Sequence, residues 1–130
     1  MAGRIEFTPI GVVEEASGPE PGKERFFDRE ERIRIFPEFV PGLTDLAPGD
    51  RIMILFHFHL SRDYELVTFA QGRGKVTGVF KSPSPRRPNG IGADDVVINN
   101  IHGGEIVITG GDMLPGTPIL DIKPCMNRQQ

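Results

Sequence analysis

The chain has 130 residues, 38% of them hydrophobic and 25% charged, and its formal net charge is −3. This composition is typical of one soluble globular domain spanning residues 1-130, and it excludes a polycation that binds nucleic acid through its overall charge. The single cysteine, Cys125, excludes an internal disulfide and indicates a reducing compartment. We expect no signal peptide, because MAGRIEFTPI lacks an apolar core, and no membrane span, because no apolar run approaches about 20 residues. The expected location is cytoplasmic.

Sixteen glycines and twelve prolines make turns frequent, which favours many short strands over long helices. Residues 31–36 alternate polar and apolar side chains, which is the period of a half-buried strand. Residues 39–46 predict a short helix or turn. Residues 51–60, RIMILFHFHL, are apolar at nearly every position and predict a strand buried on both faces. The remaining predicted strands are 5–8, 11–14, 66–69, 75–80, 95–101, 105–109 and 119–122, with a hairpin turn at His102-Gly103-Gly104. Together they predict a mostly-β fold, a small closed or nearly closed β-barrel with short helical turns.

Two proline-rich segments, residues 82–92 and 112–118, are predicted to be stiff loops. Proline fixes φ and removes a backbone donor, so neither segment suits a helix or a central strand. Binding and catalysis concentrate in loops held by a rigid scaffold. Arg86 and Arg87 offer guanidinium groups for a phosphate or a carboxylate, and the alternatives are a solvated loop or a proline-rich peptide ligand. Asn89 supplies either turn geometry or an amide that bonds a ligand.

Asp112 precedes a Pro115-Gly116 pair that predicts a tight turn. Its carboxylate suits a ribose hydroxyl or an ammonium group, and the alternative is that it caps its own loop. His57 and His59 lie two apart on a predicted strand, so their rings are expected on one face. They line a pocket or simply pack, and we expect no metal site, because the sequence offers no cluster of further ligands near them. Residues 72–78 fit neither a dinucleotide fingerprint nor a P-loop, and we interpret them as a hairpin connection.

Several blocks of the sequence resemble the TsaA-like (YaeB-type) family, in the right order and over nearly the whole chain. The most specific are Arg87-Pro88-Asn89-Gly90-Ile91-Gly92 and the run from Gly116 to Pro124, GTPILDIKP. The resemblance implies a small β-barrel-like fold that binds S-adenosylmethionine, usually as a homodimer with the cofactor pocket close to the subunit interface. It also implies an S-adenosylmethionine-dependent methyltransferase, since characterised members methylate N6 of threonylcarbamoyladenosine beside the tRNA anticodon.

The same resemblance implies a set of site residues. The RNA-binding residues would be Arg86, Arg87 and Asn89, on a tRNA-facing surface that extends toward Arg73 and Lys75. No residue stands out as a catalytic base, although His59 and Asp112 are candidates for polar contacts. The implied cofactor-binding residues are Glu24, Arg25, Phe26, His59, Leu60, Ala93, Asp112, Met113, Leu114 and Pro115.

The chain departs from the family pattern within its loops. Pro83 stands where the family usually has an arginine, and Arg86 is a possible spatial substitute. Pro115 stands where the family usually has an aspartate. These changes leave two alternatives open: a non-catalytic module that binds a nucleoside or S-adenosylmethionine, which Pro83 favours, and a methyltransferase that acts on a small molecule.

Overall fold

The structure is a computed structural model, which describes residues 3–17, 29–70 and 75–125. Short strands separated by turns make up most of this part of the chain, as the glycine and proline content predicts. A first 3₁₀ helix spans Pro37–Leu43 and a second spans Val79–Lys81. The strands are β1 (Gly11–Ser17), β2 (Glu30–Ile35), β3 (Arg51–His57), β4 (Val67–Ala70), β5 (Lys75–Gly78), β6 (Ile91–His102), β7 (Glu105–Thr109) and β8 (Pro118–Pro124).

Six of these strands pair edge to edge into a closed ring in the order β1-β2-β7-β6-β3-β8. Each neighbouring pair is antiparallel. The ring closes through a short β1–β8 register, Gly11 opposite Ile119 and Val12 opposite Pro118. The other two strands, β4 and β5, form a separate two-stranded hairpin. The predicted mostly-β fold is therefore confirmed, and its sheet is ring-like.

The core lies inside the ring, where alternate residues of each strand point. Ile33 and Ile35 of β2, for example, are 0% and 2% exposed. A buried side chain of this size contributes about 1.5–3 kcal/mol, so the period of two in the sequence fixes which face of each strand turns inward. Two carboxyl groups, Glu31 of β2 and Asp94 of β6, share the inward phase of their strands' apolar residues.

The strand predicted at residues 51–60 is shorter and less buried than expected. β3 ends at His57. The Phe58 N–H still donates to the Gly90 carbonyl at 2.8 Å, but the chain then turns at residues 59 and 60, where the Ser61 N–H donates to the Phe58 carbonyl at 3.1 Å. Only alternate residues of β3 are fully buried, whereas Met53 and Leu55 are half-buried. The expectation that His57 and His59 share one strand face is wrong, since His59 lies beyond the strand.

Three other strand boundaries differ from the prediction. Residues 5–8 form no strand, and Ile5 is 80% exposed, because the ladder with β8 begins only after Pro9. The predicted strand 75–80 ends at Gly78, where the second 3₁₀ helix begins. β6 starts at Ile91 instead of residue 95, so the end of the first proline loop is already part of the sheet.

Other local predictions are confirmed. β7 spans residues 105–109 as expected, and a turn at Gly103 and Gly104 joins it to β6, with Gly103 at φ +61°. The helix or turn expected in residues 39–46 is the first 3₁₀ helix. Of residues 72–78, which were interpreted as a hairpin connection, residues 75–78 form β5, so that part of the interpretation is wrong, and residues 72–74 lie outside the described part of the chain. No helix in the described part has the length and hydropathy to cross a membrane.

Candidate functional site

A cavity of about 780 Å³ opens at the end of the ring where β3 ends, β6 begins and β7 leads into a loop. Both proline-rich segments contribute to its wall, so the structure brings the two loops together. Its size is ordinary for a site that takes a small organic ligand. The lining residues are Phe56, Phe58, His59, Leu60, Ser61, Ser82, Pro83, Pro85, Arg87, Ile91, Gly92, Ala93, Asp94, Asp112, Met113, Leu114 and Thr117.

The first proline loop, residues 82–90, is held by its own polar groups. The Arg87 guanidinium donates to the Ser82 carbonyl at 2.6 Å and to the Ser84 carbonyl at 3.1 Å. The Ser82 hydroxyl oxygen accepts the Ser84 N–H, and the Ser84 hydroxyl oxygen accepts the Arg86 N–H. Arg87 thus fixes the shape of the loop from inside while it also lines the cavity.

The second loop contains the predicted tight turn. The Thr117 N–H donates to the Leu114 carbonyl at 3.1 Å, and Gly116 has a φ of +90°, so Pro115 and Gly116 are the central residues of a type II turn. The Thr117 hydroxyl donates to the same carbonyl at 2.6 Å. A Cβ added to Gly116 would lie 3.4 Å from His59 Nε2, so the imidazole packs against this turn.

A buried polar cluster, Arg29 and Glu31 together with the half-buried Asp94, lies behind the second loop. The Arg29 side chain is 4% exposed and that of Glu31 is 1% exposed, and the two form a salt bridge. Arg29 also donates to the Met113 carbonyl at 2.8 Å, and Asp94 Oδ2 accepts the Asp112 N–H at 3.1 Å. The cluster therefore fixes the backbone of residues 112 and 113 in the cavity wall.

Gly111 separates the two carboxyl groups of this cluster. A Cβ placed on Gly111 would collide with Glu31 Oε1 and would lie 3.3 Å from Asp94 Oδ2. Glu31 Oε1 is buried and has no hydrogen-bond partner among the described residues. Only the absence of a side chain at Gly111 lets both carboxyl groups approach the same point of the backbone.

Burial changes the acidity of both carboxyl groups. Loss of hydration raises the pKa of Glu31 to about 7, although the Arg29 guanidinium opposes the rise. Loss of hydration also raises the pKa of Asp94 to about 7. The hydrogen bond from the Asp112 N–H lowers this pKa, whereas the negative charges of Asp112 and Glu31 raise it further. The cavity wall therefore holds a carboxyl group that exchanges a proton near neutral pH.

The structure brings together most of the cofactor residues implied by the resemblance. Glu24, Arg25 and Phe26 lie outside the described residues. Pro115 is exposed in the turn and is not part of the lining. The six that line the cavity are His59, Leu60, Ala93, Asp112, Met113 and Leu114.

The implied RNA-binding residues are divided. Arg87 lines the cavity, whereas Arg86 and Asn89 do not. Arg86 donates to Asp63 Oδ1 at 3.1 Å and to Glu65 Oε2 at 3.2 Å. Pro83, at the position of the family arginine, does line the cavity. Arg86 is held elsewhere by two carboxylates and so does not take that arginine's place.

The sequence interpretation missed Arg29, Glu31 and Asp94. The sequence does contain a signal for the two acidic residues, which is their position in the two-residue period of each strand. Glu31 lies two and four residues before buried Ile33 and Ile35, and Asp94 lies two residues before buried Val96. A charged residue in the inward phase of a strand is expensive to bury and therefore marks a site. In the part of the chain that the structure describes, no three His, Cys, Asp or Glu residues are grouped to hold a metal ion.

Comparison with known families matches residues 17–129 to the N-terminal domain of tRNA-methyltransferase O. The chain belongs to this family. The resemblance to the TsaA-like family is thereby confirmed, and the match includes both proline loops and the buried cluster.

Individual relatives agree with this assignment. The chain is 34% identical over 124 residues to a probable S-adenosyl-L-methionine-binding protein of Methanothermobacter thermautotrophicus, covering 92% of this chain and 89% of that protein. It is 40% identical over 96 residues to the human tRNA (adenine(37)-N6)-methyltransferase, covering 72% of this chain and 22% of that protein. The chain thus spans nearly all of the archaeal relative and about a fifth of the human one.

Among solved structures, the chain superposes on TrmO from Pseudomonas aeruginosa with a TM-score of 0.69 and 28% sequence identity. The superposition covers 95% of this chain and 56% of that one. The ring and its loops therefore correspond to about half of the solved protein.

Proposed function

We propose that this chain is an S-adenosylmethionine-dependent methyltransferase that acts on tRNA, at N6 of threonylcarbamoyladenosine beside the anticodon. The single observation that carries the proposal is the cavity. It is built by both proline loops, and six of the ten implied cofactor residues line it. Membership of the tRNA-methyltransferase O family supports the reaction class.

The lining has the chemistry that such a cofactor requires. Phe56 and Phe58 meet edge to face with ring centroids 5.1 Å apart, and with Met113 they supply an apolar surface for an adenine ring. Asp112 supplies carboxyl oxygens for ribose hydroxyls, for an ammonium group or for the positive sulfonium. The residues present therefore fit S-adenosylmethionine.

Bound S-adenosylmethionine would supply an electrophilic methyl group, so the protein has few chemical tasks of its own. The two stiff loops orient the reactants, and the apolar lining excludes water. An acceptor nitrogen held in line at about 3–3.5 Å gains most of its rate from this positioning. The remaining task is to accept the proton that the nitrogen loses.

Two measurements test the proposal. Calorimetry with S-adenosylhomocysteine should show binding, and Asp112→Ala should weaken it about tenfold because a ligand-facing hydrogen bond to a charged group is lost. Asp121→Ala, at an outward carboxylate paired with Lys123, is the matched control. Methyl label should then pass to tRNA from a strain that lacks the modification. Absence of both binding and label would refute the proposal.

The non-catalytic alternative is favoured by one observation, the presence of Pro83 in the cavity wall where the family usually has an arginine. Binding of S-adenosylhomocysteine without transfer of label to tRNA would support either this alternative or methylation of a small molecule. Screening small amines and amides for label would then separate the two.

Contact with tRNA is assigned to the surface around Arg86, Arg87 and Asn89. Arg87→Ala should weaken RNA binding and reduce the slope of log affinity against log salt by about 1, because one phosphate contact releases about one counterion. Arg51→Ala, at an exposed arginine where β3 begins, is the control and should leave the slope unchanged. An unchanged slope in Arg87→Ala would remove Arg87 from the interface.

A homodimer is also part of the proposal, and the β4–β5 hairpin supports it. Apolar side chains on and beside this hairpin are more than half exposed, and the chain runs from it directly into the cavity wall at Ser82. A second subunit that covered them would lie near the cavity.

Phe69→Lys should convert a dimer to a monomer in light scattering, while Ile5→Lys, at another exposed apolar residue, should not. A wild-type protein with the mass of one chain would contradict the dimer. The exposed side chains are Leu60, Leu66, Val67, Phe69, Val76 and Phe80.

A cytoplasmic location remains a prediction. The free thiol of Cys125 supports it, because disulfides are rare where thiols are kept reduced. Fractionation of cells that produce the protein tests it, and recovery outside the cytoplasmic fraction would contradict it.

A further inference from the structure

We propose that Asp94 is the proton acceptor of the methyl-transfer reaction, and that Glu31 and Arg29 are positioning residues that fix the Met113 backbone, next to the Asp112 N–H that orients the Asp94 carboxyl group. This inference rests on the proposed function. It assigns the one step for which the sequence offers no candidate.

The location of Asp94 is the first argument. Asp94 lines the cavity beside Asp112, on the inward face of β6 and near the end of the ring where the cavity opens. Its Oδ2 accepts the Asp112 N–H, which fixes the orientation of the carboxyl group. Its backbone lies opposite Ile54 of β3, so the position is set by the sheet and not by a loop. A group fixed in this way is positioned to meet a proton that is lost inside the cavity.

The second argument is the unpartnered oxygen behind Asp94. Glu31 Oε1 is buried, has no hydrogen-bond partner among the described residues, and points to the same spot beside Gly111 as Asp94 Oδ2. A buried oxygen without a donor is costly, so this side of the cavity wall disfavours a second negative charge. The negative charge of Glu31 acts on Asp94 and favours its protonated form.

The charged groups around Glu31 and Asp94 influence the pH at which these carboxyl groups take up a proton. Arg29 contacts Glu31 from one side and favours its ionised form, while Asp112 adds negative charge beside Asp94. Arg87 and His59 also line the cavity. Because burial raises the pKa of Asp94 to about 7, its carboxylate becomes a stronger base than an exposed aspartate and still loses its proton near neutral pH.

The balance of the reaction requires such an acceptor. A C–N bond forms between the acceptor nitrogen and the methyl carbon, and the C–S bond breaks with its electron pair left on sulfur. The nitrogen then loses its proton, which passes to the Asp94 carboxylate and afterwards to solvent. No oxidant, reductant or further reactant is needed.

The first test is the pH dependence of the single-turnover rate of methylation, measured on tRNA from a strain that lacks the modification. The wild-type rate should rise with pH and level off above about pH 7, because only ionised Asp94 accepts a proton. Asp94→Asn should lower the rate by about 100-fold or more and remove the inflection, while S-adenosylhomocysteine binding changes by less than about threefold. Asp95→Asn, the outward neighbour on β6, is the matched control and should keep both the rate and the profile.

A second readout does not depend on activity. The carboxyl carbon of Asp94, followed by NMR in the unliganded protein, should titrate near pH 7, and Glu31→Gln should lower that midpoint because a like charge is removed. A merely structural Glu31 would leave the midpoint of Asp94 unchanged.

The outcomes separate this inference from the proposed function. An active wild-type protein whose rate is flat with pH, or whose Asp94→Asn variant keeps its rate, overturns the assignment of Asp94 alone. If Asp94→Asn no longer binds S-adenosylhomocysteine, the NMR titration decides, and a midpoint below about pH 5 overturns the assignment. A wild-type protein that transfers no methyl group overturns the proposed function and this assignment with it.

Discussion

The substitution Asp94→Asn is expected to stabilise the protein at alkaline pH and to leave its stability nearly unchanged at acid pH. Burial raises the pKa of Asp94 from 3.8 to about 7. The folded state therefore binds the proton more tightly than the unfolded chain does, and the free energy of unfolding falls as pH rises from about 4 to about 7. Below this range the carboxyl group is protonated in both states, and above it the loss is complete.

The size of the effect follows from the size of the shift. A rise of about three pKa units corresponds to about 4 kcal/mol. The negative charges of Asp112 and Glu31 contribute to this rise, so the part that Asp94 carries alone is smaller, about 2 kcal/mol. Asparagine is neutral at every pH, and its side-chain oxygen still accepts the Asp112 N–H. The variant therefore keeps the hydrogen bond that orients the loop and loses only the charge.

Urea unfolding at about pH 3.5, below the range of the titration, and at about pH 8, above it, measures both terms. The difference in unfolding free energy between Asp94→Asn and the wild type should be near zero at the lower pH and about 2 kcal/mol in favour of the variant at the higher. Asp95→Asn, on the exposed side of β6, should show no such change. A difference that is the same at both values would refute the burial of a titrating carboxyl group at Asp94.

Three other substitutions around the cavity give further tests. Gly92→Ala places a Cβ against the Phe56 ring, and overpacking should lower the free energy of unfolding by about 1–3 kcal/mol in urea; an unchanged midpoint would contradict this contact. Gly116→Ala requires a left-handed alanine at φ +90° and should cost about 1–2 kcal/mol, with weaker S-adenosylhomocysteine binding by calorimetry, whereas wild-type affinity would argue against the turn. Arg87→Lys keeps the charge but loses the guanidinium that bonds two carbonyls. The affinity for S-adenosylhomocysteine should therefore fall about tenfold, while the slope of log RNA affinity against log salt persists. Loss of that slope would contradict this prediction.

The loops and the sheet were predictable from the sequence because local chemistry determines them. The prolines place most of residues 82–92 and 112–118 outside regular structure, although residues 91, 92 and 118 belong to strands, and the Pro115-Gly116 pair specifies its own turn. Alternation likewise identifies β2 and β7 with nearly their observed bounds. In each case the residues that form the structure are neighbours in the chain.

The buried cluster was not predicted because its contacts join distant parts of the chain. Arg29 bonds the carbonyl of Met113, 84 residues away, and Asp94 accepts from Asp112 across the ring. Charged residues are usually expected at the surface, so the sequence pattern alone does not predict that the Glu31 side chain faces the core. The end of β3 was not predicted either, because the turn at residues 59 and 60 follows it with no proline or glycine in residues 57–61 to mark it.

The second loop connects the cavity to the closure of the ring. The β1–β8 register is short, and it is extended by loop residues: the Val13 N–H donates to the Thr117 carbonyl at 3.0 Å, and the Gly116 N–H donates to the Val13 carbonyl at 2.7 Å. The turn that packs against His59 is thus also part of the seam between β1 and β8. A ligand that contacts residues 112–114 stabilises this turn in its folded form, because binding to the native state alone adds to the free energy of unfolding. A ligand in the cavity, whose wall includes Leu114 and Thr117, would therefore contact the turn that extends the β1–β8 closure of the ring.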